Sequence, residues 1–272
     1  MHAFMTRVPS PLPEDPCDVA GAKWAGTVTV GVGALAYSGV VGATDLHRHG
    51  AHQIVHVTTG RVSVELETET VGPTSGIVIP GGVAHALRPG PGSAVATTIY
   101  LDVDTLRGAD TREMVADRPP AEWSEVFGEV VGSWPVPLDA LDDRARHRPL
   151  VEHLSAVPGA DEVDGMHPYV RAALDVLSER VTGRTSLGEI AAAVNVSVPH
   201  LNRLWRADMG ISFPAWVRWT RLRQAARSVG AGASITDAAH EVGFADGAHA
   251  SRVCREMFGM SPLELTRAIV IV

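Results

Sequence analysis

The sequence predicts a two-domain α+β protein, β-rich in its first half and all-α in its second, on three observations. From about residue 24 to residue 101, short β-type runs alternate with Gly and Pro turns, the pattern of a sandwich or barrel. Beyond residue 165 the apolar spacing is helical throughout. Inside that helical half, a set of residues recurs 48 to 49 positions later. The chain has 272 residues, 45% hydrophobic and 20% charged, an ordinary globular composition. At about 100–200 residues per domain, that length supports two cores.

Residues 1–20 read as a flexible lead-in, because four prolines up to Pro16 and the acids Glu14, Asp15 and Asp18 leave no apolar signal-peptide core. Residues 21–104 are expected to form the barrel. Trp24 to Thr44 carries no charge, but its Thr27-Val28-Thr29-Val30 alternation and frequent glycines point to strands and turns rather than a membrane span. Further strands are expected at Ile54–Thr58, Val62–Leu66, Ile77–Ile79 and Val95–Leu101. Residues 105–164 should be helical and end in a linker at Val157–Gly165. In that segment Trp123, Val126, Phe127, Val130 and Val131 share one helix face. Leu138, Leu141, Leu150 and Leu154 form a candidate homodimer surface, with packing back on the barrel as the alternative. Residues 165–272 make the second domain, opened by Pro168 in a helix's first turn.

The net charge of -8 argues against nucleic acid until it is divided. Met1–Asp164 holds 11 basic and 22 acidic residues, a net of -11, whereas Gly165–Val272 holds 12 and 9, a net of +3. An acidic half joined to a basic half hints at nucleic-acid contact. Lys23 is the single lysine. The other basic residues are Arg, suited to bidentate phosphate and guanine contacts. Cys17 and Cys254 stand far apart, which indicates no disulfide framework and fits a reducing, cytoplasmic setting without a membrane.

The repeat reads as two helix-turn-helix units, at 187–208 and 235–258. Leu187, Ala191 and Val194 recur as Ile235, Ala239 and Val242. Ser197, His200, Arg203, Arg206, Gly210 and Ser212 recur as Asp246, His249, Arg252, Arg255, Gly259 and Ser261. Asn195 and Gly243 supply the turn, since both tolerate positive φ. Ser197 and Asp246 are expected to cap second helices that end at Gly210 and Gly259. Such a second helix enters the DNA major groove. Leu201, Leu204 and Trp205 belong to the core. Val198, Pro199, His200, Asn202, Arg203 and Arg206, with Gly247, Ala248, His249, Ser251, Arg252 and Arg255, are the candidate DNA-binding residues. Asn and Arg read adenine and guanine edges.

Ser186 to Ala268 resembles the C-terminal domain of the AraC/XylS transcriptional regulators, through Val242-Gly243-Phe244-Ala245-Asp246, Ser251-Arg252 and Phe258-Gly259-Met260-Ser261-Pro262. The resemblance implies two units joined by a long helix, here about Phe213–Val229, reading successive major-groove segments on one face of the DNA. The chain departs from the family pattern at Ala238, Ala250 and Cys254, where large apolar residues are usual. Each lost side chain costs roughly 2–5 kcal/mol if nothing refills the space.

In the first half, His47-Arg48-His49-Gly50-Ala51-His52-Gln53, then Gly60 and Pro80-Gly81-Gly82-Val83-Ala84-His85, is similar to the two motifs of cupins, barrels of jelly-roll type. On a strand, His47, His49 and Gln53 share one face because side chains alternate. They are expected to converge with His85 on an effector or a divalent transition metal, while His52 and His56 are structural or surface residues. Three imidazoles suit Zn, Fe, Ni or Cu. The cupin pattern has Glu where this chain has Gln53, and Asn where it has Pro89.

These readings combine into a non-enzymatic, sequence-specific transcriptional regulator with a cupin-like sensor. Its partners are double-stranded promoter or operator DNA and a small-molecule or metal effector, with RNA polymerase and a second copy as further candidates. The alternative is a metal-dependent cupin enzyme of dioxygenase type fused to a DNA-binding module. A purely structural DNA-binding protein would need a larger basic excess.

Overall fold

The computed structural model describes residues 24–134, 147–154, 165–178 and 185–271. The expected lead-in, Leu138, Leu141 and residues 157–164 of the expected linker lie outside the described residues.

The β-rich half runs through β1 (Ala25–Val30), β2 (Ala34–Val41), β3 (Ala51–Thr59), β4 (Val62–Leu66), β5 (Thr70–Thr74), β6 (Gly76–Ile79), β7 (His85–Pro89) and β8 (Ala94–Asp102). The larger sheet has the order β6-β3-β8-β2-β1 and gains β9 (Ile269–Ile271) from the far end of the chain; the smaller is β5-β4-β7. Pairings are antiparallel except β1 with β9, where Gly26 lies opposite Ile269 and Val28 opposite Ile271.

Strands β2, β5, β7 and β9 were not expected. Strand β2 reads Ala-Leu-Ala-Tyr-Ser-Gly-Val-Val and is buried along most of its length, so it lacks the alternation that marks a half-buried strand. Strand β7 ends in Pro89 at a sheet edge, where a missing N–H breaks no ladder bond.

The larger sheet is covered on both faces. Inside, Leu35, Val55, Ile77 and Tyr100 join Val62, Val64 and Leu87 of the smaller sheet in one apolar cluster. Outside, Ala36, Ile54, Val78 and Ile99 meet α1 (Leu106–Val115), α2 (Trp123–Gly132) and α3 (His147–Leu154). Leu150 and Leu154, for which a dimer surface and packing on the barrel were the two open readings, are 1% and 0% exposed within this cluster. A sheet that is apolar on both faces needs that cover, so packing back on the sheet prevails for these two residues.

The helical half contains α4 (Pro168–Ser178), α5 (Leu187–Ala193), α6 (Val198–Met209), α7 (Phe213–Gly230), α8 (Ile235–Glu241), α9 (Gly247–Phe258) and α10 (Pro262–Ala268). Val170, Leu177, Ile190, Leu201, Trp205 and Trp216 build a core for the first helix-turn-helix. The second has no separate core: Trp219, Leu222, Val242, Phe244, Val253 and Met257 belong to the same cluster as the larger sheet's inner face. Trp219 donates its indole N–H to Asp102 at 2.7 Å, and Trp216 donates to Asp104 at 3.0 Å. The long helix α7 is thereby anchored to the end of β8.

Candidate nucleic-acid interface and a buried histidine cluster

The first helix-turn-helix starts with a reciprocal cap. The Ser186 hydroxyl accepts from the Glu189 backbone N–H, and the Glu189 carboxylate accepts from that of Ser186. Asn195 makes the turn at φ 56°, and Gly210 ends α6 at φ 68°. In the second unit Gly243 turns at φ 82°, Asp246 caps α9 by accepting from the His249 N–H at 2.6 Å, and Gly259 ends it at φ 67°. The expected Ser197 cap is a correction. Ser197 occupies the N-cap position but its side chain makes no capping bond, and Pro199 at the second helical position has no N–H to give.

On α6 Leu201, Leu204, Trp205 and Met209 are buried, while Val198, Pro199, Arg203 and Arg206 are exposed and His200 and Asn202 half-buried. The His200 ring lies 6.1 Å from that of Tyr169, and its Nδ1 lies 3.2 Å from the Arg203 guanidinium. An open groove of about 750 Å³ is lined by Ser186, Val198, Pro199, Asn202, Arg206 and Arg218. Arg218, exposed on α7, was not among the expected contacts. It lies outside both repeat copies, and only its place on the outward face of α7 could have flagged it.

On α9 Ala248, Arg252 and Arg255 are exposed, and Gly247, His249 and Ser251 are half-buried. The His249 ring packs edge-on to Phe244 at 5.4 Å, and Ser251 donates back to the Gly247 carbonyl at 2.8 Å. Arg255 pairs loosely with Glu264 at 3.6 Å. Asp45 and Leu46 of the β-domain form the other wall of a groove with Ser251, Arg252 and Arg255. The Arg48 N–H donates to the Glu256 carbonyl at 2.8 Å, so the β-domain satisfies part of the end of α9.

The residues expected to converge in the barrel do so, by a different route. His47 and His49 do not share a strand with Gln53: β3 begins at Ala51, and His47 is held by a two-way backbone bridge to His85. Ligand nitrogens of His47, His49 and His85 lie within 4.8 Å of one another, all three residues buried. Each ring places Nδ1 on a carbonyl, of Asp45 (2.9 Å), Ala51 (2.8 Å) and Val83 (3.0 Å) respectively. This fixes the tautomer and leaves Nε2 as a lone pair. The Gln53 carboxamide lies 3.0 Å from Nε2 of His49 and 2.8 Å from Nε2 of His85. Both nitrogens are acceptors, so the amide orientation that satisfies them turns its NH2 group toward them. The Nε2 of His47 is buried without a partner among the described residues.

Burial holds the pKa of His47 and of His49 down at about 4 and drives that of His85 well below its usual value. The three rings are therefore neutral at pH 7, the form that binds metals. The cluster also touches α7: the His49 ring is 5.8 Å from Trp219 and 5.0 Å from Tyr100. His52 and His56 point to the sheet's other face. His52 is fully buried, near Arg112, and accepts from the Gly81 N–H at 3.2 Å; His56 stacks on Phe127 at 5.8 Å.

These features define a two-part protein in which a double helix-turn-helix unit docks on a two-sheet β-domain. Residues 190–268 match the family model described as a helix-turn-helix domain. A curated relative, the HTH-type transcriptional regulator GlxA of Rhizobium meliloti (strain 1021), is 34% identical over 105 residues, which make up 37% of this chain and 32% of the relative. The match thus spans about a third of that relative's length. Among solved structures, ToxT from Vibrio cholerae superposes with a TM-score of 0.52 at 10% identity, over 87% of this chain and 98% of ToxT. Its unsaturated fatty acid-bound form gives 0.53 at 13% identity, over 88% and 96%. The likeness to ToxT is one of fold and includes the β-domain. Over its helix-turn-helix half the chain is thus similar to a helix-turn-helix transcriptional regulator.

Proposed function

We propose that the chain is a sequence-specific DNA-binding transcriptional regulator whose β-domain, a cupin-like jelly roll, senses a small molecule or metal ion. One observation carries the reading. Two helix-turn-helix units of the same construction present Arg203 and Arg206, and Arg252 and Arg255, at equivalent exposed positions. Asn202, Arg203 and Arg252 are assigned to base edges, with Arg206, Arg218 and Arg255 on phosphates. Val198, Pro199, Gly247 and Ala248 let the helix starts approach the groove closely. A cytoplasmic setting fits a DNA partner, and a second copy and RNA polymerase are further candidate partners. Selection of bound fragments from the host genome by the full chain tests the reading. Recovery of a shared sequence supports it, and binding equal on all fragments overturns it.

The His47, His49 and His85 donor set fits a divalent transition ion: three neutral imidazoles converge, and one of their nitrogens has no partner. Gln53 would complete the set by turning its carboxamide oxygen inward. Bound there, the ion would supply a Lewis-acid anchor for an oxygen or nitrogen donor of the effector. Without it, the Gln53 amide holds the rings together by hydrogen bonds. ToxT is described with a bound unsaturated fatty acid, which supports an organic effector as a second occupant of the β-domain. Elemental analysis of purified protein and of a His47→Ala/His85→Ala variant separates the two. Metal lost with the imidazoles establishes the ion; equal content in both removes it.

A further inference from the structure

The second helix-turn-helix borders a half-open space that its own side chains do not fill. Ala238 on α8, with Ala250 and Cys254 on α9, are buried and line a cavity of about 90 Å³, whose remaining walls include Leu222 and Arg223 of α7 and Leu35 of β2. A neighbouring lobe of about 80 Å³ is lined by Trp24, Val28, Tyr37 and Tyr100. The two lobes share Leu35, Ala226, Phe258, Leu265 and Ile271. Both lobes are walled almost wholly by carbon.

Two hydrogen-bond donors on these walls have no partner among the described residues. Arg223 is 8% exposed and spends its terminal nitrogens on Asp102 and the Gly31 carbonyl, yet its Nε–H bonds to nothing. The indole N–H of Trp24 is likewise buried and unmatched. Buried donors without acceptors are rare because leaving one unpaired is costly. An apolar cavity of about 150 Å³ stays dry and takes up a benzene-sized guest; the two lobes together are of that scale.

We propose that this cavity is a binding site for a small neutral aromatic molecule carrying one hydrogen-bond acceptor, taken up behind the second reading helix. The ring occupies the space at Ala238, Ala250 and Cys254, and the acceptor meets the Arg223 or the Trp24 donor. Charged molecules are excluded because nothing on the walls is free to neutralise them. Occupancy fills the gap between α9 and the larger sheet and so holds the second helix-turn-helix against the β-domain. The site lies apart from His47, His49 and His85, and it stands whether or not the chain regulates transcription.

Thermal unfolding of the full chain with acetophenone, benzene and benzoate tests it. Acetophenone should raise Tm by roughly 5 °C near saturation, benzene less, and benzoate not at all. Cys254→Leu and Ala250→Leu fill the space. Each should raise Tm without ligand and abolish the acetophenone shift. Should either fill be too large to fold, Ala238→Val makes the same test with a smaller addition. No shift in the unaltered protein, or an unchanged shift in a filled variant that folds, overturns the proposal.

Discussion

The carboxylate of Asp102, at the end of β8, lies 2.7 Å from the guanidinium of Arg223 in α7, and both side chains are under 10% exposed. This ion pair ties the helix between the two reading units to the β-domain. Burial raises the Asp102 pKa despite Arg223, and the nearby Asp104 adds to the rise. Breaking one partner of such a pair leaves a buried charge alone, at a cost of about 3–5 kcal/mol. Arg223→Ala should therefore lower the urea midpoint strongly, while Asp102→Asn/Arg223→Met should recover much of the loss. A single variant as stable as the parent would show the pair to be dispensable.

Acid should weaken the metal-free protein in a definite window. Burial holds His47 and His49 at about 4, and His52 at about 3, against 6.5 unfolded. Between these limits the unfolded chain binds more protons, so this stability is complete above pH 6.5 and is lost as pH falls toward 4. Each site contributes about 1.4 kcal/mol per unit of separation. Denaturant titrations at pH 7 and pH 5 should show a clear drop, and His52→Asn should flatten it.

Gln53→Glu exchanges a hydrogen-bond donor for an anion facing two imidazole lone pairs. It should raise affinity for Zn or Ni while destabilising the metal-free form. Competition against a chromophoric chelator reads the first effect, and Tm in chelator reads the second. Unchanged metal affinity would place Gln53 outside the donor set.

Gly210 and Gly259 end their helices at almost the same φ, 68° and 67°, in different surroundings. A Cβ on Gly210 would meet nothing closer than the flexible Arg112 side chain at 3.6 Å, whereas on Gly259 it would meet the Asp45 carbonyl at 2.7 Å. Gly210→Ala should cost about 1–2 kcal/mol, the left-handed penalty alone. Gly259→Ala should cost more, because the contact with the β-domain must open. Equal losses in chemical denaturation would refute the added contact.

Arg203→Ala should cost about 1–3 kcal/mol on the selected DNA site and relax its sequence preference. Arg218→Ala should instead weaken all sequences alike and reduce the salt slope by about one. Binding titrations at two salt concentrations distinguish them, and equal weakening on random DNA by Arg203→Ala would make it a phosphate contact.

Legibility in the sequence followed the strength of local signals. Asn195, Gly210, Gly243 and Gly259 were readable because a left-handed residue at a fixed place leaves a compositional mark. The meeting of His47, His49, Gln53 and His85 was readable from their motifs, but the strand assigned to carry the first two was wrong, since a backbone bridge to His85 holds His47. Strand β2 was hidden by burial on both faces. The docking of Trp219 and Arg223 on Asp102 joins residues more than a hundred positions apart, and nothing local announces it. Leu150 and Leu154 left a partner surface and packing on the barrel both open, because an amphipathic helix reads the same whichever apolar neighbour covers it.

The parallel pairing of Gly26–Val28 with Ile269–Ile271 makes the chain a closed circuit. Its last strand is stitched to the first strand of the domain at its other end. The helical half is therefore held to the β-domain at its last strand as well as through α7. To part the halves, three residues must be unzipped at one sheet edge while the ion pair of α7 is pulled from the other side. A truncation that removes Ile269–Ile271 thus loosens one tie between the halves and leaves the Asp102–Arg223 pair as the other.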